Sequence, residues 1–189
     1  MINLTKVKSA ACRINFPNSS MNRPQAAANY KNRADSIRDQ GLSLLNSNAI
    51  VSTSVRLPNG GWVSASVFKH ESHTPDNPVF LVRGIDVNGD QFEMVVDVNK
   101  VNPKNAHFIE LMALDGYFVS KGKSMGLTRN AVGALHAGLG VYDVFTRFNS
   151  LPPLHEMMVF QRANGNLGGY TQYKNLIDSI IEFMAQRKQ

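Results

Sequence analysis

Along the chain the apolar residues change their period several times, and each change marks an element. From about residue 24 to 46, Tyr30, Ala34, Ile37, Gly41 and Leu44 or Leu45 recur at three-to-four spacing, and Asn22 is available as a cap, so this stretch predicts a helix. Between residues 50 and 98 the pattern switches to alternation. Residues 50–57 and 62–70 are rich in Val, Ser, Thr and aromatic side chains and flank Asn59-Gly60-Gly61; residues 79–86 and 91–98 flank Asn88-Gly89. Both separators supply the positive φ of a tight turn, which predicts two hairpins. Consecutive strands usually pair, so the hairpins are expected to join as a four-stranded antiparallel meander. In the last strand Phe92, Met94, Val96 and Val98 alternate with Gln91, Glu93 and Asp97, leaving one sheet face wet or only partly covered.

Helical spacing returns after Asn102-Pro103, a cap followed by a proline suited to a first turn. Up to about residue 121 the segment is apolar on most sides (Phe108, Ile109, Leu111, Met112, Leu114, Phe118), which predicts a central helix. Thr128 is read as the cap of another helix reaching about residue 148. Gly133, Gly138 and Gly140 fall inside it, each costing about 1 kcal/mol relative to alanine, so close packing is expected there. Residues 149–169, with Pro152-Pro153 and the run from Asn164 to Gly169, read as a long connection with a short turn or strand near 157–160. Tyr173, Leu176, Ile177, Ile180, Ile181 and Met184 then mark one face of a final helix. The expected fold is α+β: an N-terminal helix, a four-stranded antiparallel β-meander and three C-terminal helices packed on one face, with residues 1–21 as a basic arm and 22–189 as a single domain.

Composition narrows the class. In a chain of 189 residues, 43% hydrophobic and 18% charged, a single core can form without staples, and collagenous and strongly disordered classes are excluded. The lone cysteine, Cys12, rules out an intramolecular disulfide. The start lacks the apolar run of about 7 to 15 residues found in signal peptides. The most apolar stretch, residues 131–145, is broken by His136 and Asp143 and is shorter than the roughly 20 residues of a membrane span. These features together predict a cytoplasmic protein without a membrane segment.

Charge is concentrated at one end. Residues 1–47 hold seven bases and two acids, so five of the six net positive charges sit there. A basic arm of this kind gathers phosphate by counterion release or serves as a solubilising tail. Lys6, Lys8, Arg13, Arg23, Lys31 and Arg38 are the candidate nucleic-acid-binding residues. Asp35, three or four residues from Lys31 and Arg38, offers local pairing as the competing reading.

Other chemistry is sparse. His70, Glu71 and His73 place two imidazoles and a carboxylate within four residues, the raw material of a metal-dependent hydrolase, but no further ligand pair has matching spacing. His107 and Glu110 have the spacing of a helix contact, and His155-Glu156 is less specific still. His136 and Asp143, seven apart, would share a helix face about 10 Å apart, too far for a direct hydrogen bond. Cys12 beside Arg13 is read as a reactive thiol at most, with no rigid element to hold a catalytic geometry. The glycines from Gly165 to Gly169 lack the lysine and hydroxyl of a phosphate loop and read as a turn into the last helix. Arg83-Gly84 within the third strand suggests a bulge or a close approach. Trp62, Phe68 and Phe80 are of the residue type that stacks bases on the sheets of some RNA-binding modules, but the element order of those modules is absent and core placement is the simpler reading.

The functional expectation is a non-enzymatic, accessory, regulatory or inhibitory interaction protein that reaches nucleic acid or a nucleoprotein through its basic N-terminal region. Protein-only binding or a homodimeric module is the alternative, and a hydrolase built on His70, Glu71 and His73 comes after it. No cofactor motif and no resident metal are expected.

Overall fold

The computed structural model describes residues 48–57, 60–123, 132–133, 135, 139–140 and 143–187. Strands β1 (Val51–Arg56), β2 (Trp62–Lys69), β3 (Val79–Ile85) and β4 (Gln91–Asp97) form one antiparallel sheet in sequence order, the expected meander. Both hairpins close in the same way. Gly60 N–H donates to Leu57 O while Leu57 N–H donates to Gly61 O, and Gly89 N–H donates to Asp86 O while Asp86 N–H donates to Asp90 O. Gly60 at φ +87° and Gly89 at φ +86° take the left-handed position, and no described non-glycine residue has a positive φ. The second turn is therefore a three-residue loop with a glycine bulge, with one positive φ instead of the two that an Asn-Gly mirror turn would need. The Asp86 carboxylate secures it by accepting from Asn88 N and Asp90 N.

The register sorts the faces. Val51 lies opposite Val67, Thr53 opposite Ala65 and Val55 opposite Val63, while Val67 faces Val82 and Val82 faces Met94. This face carries the core and receives α1 (Phe108–Ser120), which buries Phe108, Ile109, Leu111, Met112, Leu114 and Phe118. Gly116 of α1 sits directly on Val67, where an added Cβ would lie 2.7 Å from Cγ1. Gly133, which is helical, abuts Thr53 and Val55 on the same face, giving that glycine the packing reason expected of it. In β3 Gly84 answers a close approach: the strand pairing continues unbroken, but a Cβ there would strike Ser64 O and the Phe92 ring.

The other face bears Ser52, Ser54, Trp62, Ser64, Ser66, Phe68, Leu81, Arg83, Ile85, Glu93 and Val95 by the same register. Trp62 and Phe68 lie on this face, half-buried and outside the core expected for them, whereas Phe80 lies on the core face and is fully buried, because Leu81 is the residue opposite Phe68. The outer strand β4 is wet on this side, with Gln91, Glu93 and Val95 exposed, whereas Ser64, Ser66 and Ile85 are buried.

Three boundaries differ from those predicted. Residues 102–105 form a turn, Asn105 N–H donating to Asn102 O, and α1 begins at Phe108 with His107 as its cap. The helix predicted to reach residue 148 has given way to turns by Leu139 and Gly140, the latter at φ +61°, and Phe148 instead pairs with Ala106 in an isolated bridge. Within the stretch read as a long connection lies a 13-residue helix, α2 (Leu151–Ala163). Prolines in the first turn lack only N–H groups that a helix start leaves unused, so Pro152-Pro153 opens this helix where a loop was expected. The last helix, α3 (Leu167–Gln186), lies where it was predicted but begins inside the glycine run read as a turn; Tyr173, Leu176, Ile180 and Phe183 are buried, and Ile181, expected on the apolar face, is exposed. The arm, residues 1–21, and the helix predicted over 24–46 lie outside the described residues.

Candidate functional site

Lys6, Lys8, Arg13, Arg23, Lys31 and Arg38, together with Cys12 and His136, fall outside the described residues. The histidines of the β2–β3 loop diverge in their partners. His70 Nδ1 is 2.8 Å from Ser72 Oγ, whereas His73 Nδ1 donates to the Val79 carbonyl at 3.0 Å and its ring meets Phe80 edge-on at 4.7 Å. Among the described residues no group of three or more His, Cys, Asp or Glu side chains is placed to hold a metal ion.

His107 and Glu110 prove to be a capping box. Glu110 N–H donates to His107 Nδ1 at 3.3 Å and His107 N–H donates to Glu110 Oε2 at 3.1 Å, satisfying two amides at the start of α1. Burial lowers the pKa of His107, with Arg147 acting in the same direction and Glu110 and Asp143 opposing. Asp143 stands in a turn, accepting from Phe145 N and Thr146 Oγ1 at 3.0 Å each, and not on a helix as its spacing from His136 suggested. The glycine run is likewise committed to structure. Gly165 takes φ +71°, and the Gly169 amide donates to Asn166 Oδ1 at 2.9 Å, filling the helix start with a side-chain cap.

What sequence reasoning missed is the helical hairpin formed by α2 and α3. Helix α2 turns Leu151, Leu154, Met157 and Met158 inward, but only Leu154 is fully buried. Its outer side leaves Val159 51% and Phe160 63% exposed, and Leu167, just across the connecting turn, is 68% exposed. The turn itself is well made: Asn164 N–H donates to Phe160 O, Gly165 N–H to Arg162 O and Asn166 N–H to Gln161 O. Asn166 Nδ2 also donates to Gln161 Oε1 at 2.7 Å. At its far end the hairpin is anchored. The Phe183 ring meets Tyr117 and Phe118 of α1 at 6.0 and 6.2 Å, and Lys123 pairs with Glu182 at 2.6 Å. Ser150 Oγ, at the foot of α2, donates to Pro103 O at 2.8 Å.

Charge is nearly absent from the tip. Between Met157 and Tyr173 the sequence carries one charged residue, Arg162, whose guanidinium lies 5.6 Å from the Tyr170 ring centroid. Val159, Phe160 and Leu167 are thus exposed apolar side chains in a segment poor in charge, with Met157 and Met158 half-buried before them in the sequence, and this combination of apolar residues and little charge is what the centres of protein interfaces carry. The spacing of Leu151, Leu154, Met157 and Met158 on either side of the proline pair was the signal that could have revealed α2.

Comparisons with protein-family models, curated proteins and solved structures gave no match to this chain. Among the described residues no helix is long and apolar enough to cross a membrane.

Proposed function

We propose that this chain is a non-enzymatic interaction protein of accessory or regulatory type, working in the cytoplasm, that holds a protein partner on the apolar tip of the α2–α3 hairpin. The observation that carries the reading is the exposure of Val159, Phe160 and Leu167 on two helices whose turn and base are firmly hydrogen-bonded. A helix that needed only to stabilise this fold would turn such side chains inward, because burying a Phe or Leu is favourable by roughly 1.5–3 kcal/mol. The basic residues of the N-terminal 47 bring the same protein to nucleic acid or a nucleoprotein in this reading, since the rest of the chain carries only one net positive charge.

Affinity capture from the cells that make the protein, with and without nuclease, tests the first part against a Phe160→Ser, Leu167→Ser double variant. A stoichiometric partner that survives nuclease and is lost with the double variant supports the reading, and a partner retained equally by both refutes it. Fluorescence anisotropy with labelled DNA and RNA tests the second part. Binding should weaken steeply with salt and with charge removal at Lys6, Lys8, Arg13 and Arg23; no binding at low salt discards it.

A further inference from the structure

We propose that the cleft between the β2–β3 loop and the C-terminal end of α1 binds a small oxyanion of the phosphate class. The cleft encloses about 130 Å³ and is lined by Lys69, His73, Thr74, Pro75, Pro78, Tyr117, Ser120 and Lys121. That space has room for one tetrahedral oxyanion with water beside it. Two lysines line it and no acidic residue does, although Glu71 and Asp76 belong to the same loop.

The ordinary duty of a lysine at this place is to neutralise the carbonyls that end a helix. Here three of those carbonyls are already served. Tyr117 O accepts from Lys121 N and from Ser120 Oγ, Val119 O accepts from Gly122 N, and Phe118 O accepts from Lys123 N. Lys123 is the lysine drawn into an ion pair, with Glu182. Lys121 instead extends over the Tyr117 ring, its Nζ 5.7 Å from the centroid, and neither Lys121 nor Lys69 forms an ion pair among the described residues.

The wall opposite is held in place. His73 is fixed by its bond to Val79 O and its contact with Phe80, and the loop is closed by Thr74 N–H to Asn77 O and Asn77 N–H to Thr74 Oγ1. The Thr74 hydroxyl, which accepts in that turn, keeps its proton for a ligand. A loop wall held in this way and two lysines without ion-pair partners among the described residues supply charge-assisted hydrogen bonds to an anion.

Titration of the full chain with inorganic phosphate at constant ionic strength, followed by amide proton–nitrogen spectra, tests this. Saturable shifts confined to the neighbourhood of His73, Thr74, Ser120 and Lys121 are expected. Lys69→Gln or Lys121→Gln should each weaken binding by about tenfold, the loss of one charge-assisted bond, and both exposed substitutions should leave the remaining spectrum unchanged. A terminally phosphorylated oligonucleotide that competes would place the phosphate on nucleic acid, and failure to compete would assign the free ion; both outcomes uphold the site. Shifts reproduced by chloride, or persisting in the Lys69→Gln, Lys121→Gln double variant, would overturn it.

Discussion

Arg147 holds both carboxylate oxygens of Glu110, Nη1 at 2.9 Å from Oε2 and Nη2 at 2.8 Å from Oε1, and also donates to Asn105 O at 2.7 Å. One side chain thereby ties the segment before α2 to the cap of α1, the helix on which the sheet packs. Arg147→Met should lower stability by about 1–2 kcal/mol, more than an ordinary surface pair, because it releases a two-point contact and loosens a capping box together. Urea denaturation of the two proteins measures it.

His107 must be neutral at Nδ1 to accept from Glu110 N–H, and its pKa is lowered in the fold, first by burial. The unfolded chain therefore takes up a proton on this residue at higher pH than the folded one. Its contribution is complete above the ordinary histidine value of 6.5 and is lost as pH falls below that value towards the lowered one. Denaturation midpoints between about pH 5 and 8 should fall on the acid side, and His107→Asn, which keeps a cap acceptor that does not titrate, should flatten that part of the curve.

Two phenylalanines on the hairpin should behave oppositely. Phe183 is 6% exposed and packs on Tyr117 and Phe118, so Phe183→Ala should cost about 3–5 kcal/mol. Phe160 is 63% exposed, and Phe160→Ala should change stability by no more than about 0.5 kcal/mol. Equal losses in thermal and chemical denaturation would mean that Phe160 serves the fold and not a partner.

Gly116→Ala tests the seating of α1. Its new Cβ would lie 2.7 Å from Val67 Cγ1, so destabilisation of about 1–3 kcal/mol is expected. Val67→Ala in the same chain makes room, and the double variant should lose less than the two single losses combined when compared by urea denaturation.

The sheet was legible because alternation and glycine turns are local signals; β1 to β4 fall inside the stretches where the alternation predicts them. The final helix was legible for the same reason, its apolar residues following the helical period over three turns. Helix α2 was hidden by Pro152-Pro153, which punctuates loops and also opens helices, and by an outer face on which Val159 and Phe160 blur the amphipathic stripe. That blurring is the same feature that marks the candidate site, so the pattern that concealed the element is the one that suggests its use. His107 and Glu110 were visible as a spacing, but Arg147, 37 residues beyond Glu110, joins them only through tertiary folding. The oxyanion cleft has no local signature, because its lysines, Lys69 and Lys121, come from two elements far apart in sequence.

Hydrogen exchange of the full chain, free and bound to the partner recovered by capture, addresses the central claim most directly. Slowed exchange at residues 157–170 on binding, absent with the Phe160→Ser, Leu167→Ser variant, is the result predicted for a partner seated on the hairpin tip. Unchanged exchange there, with protection appearing only elsewhere in the bound chain, would contradict it.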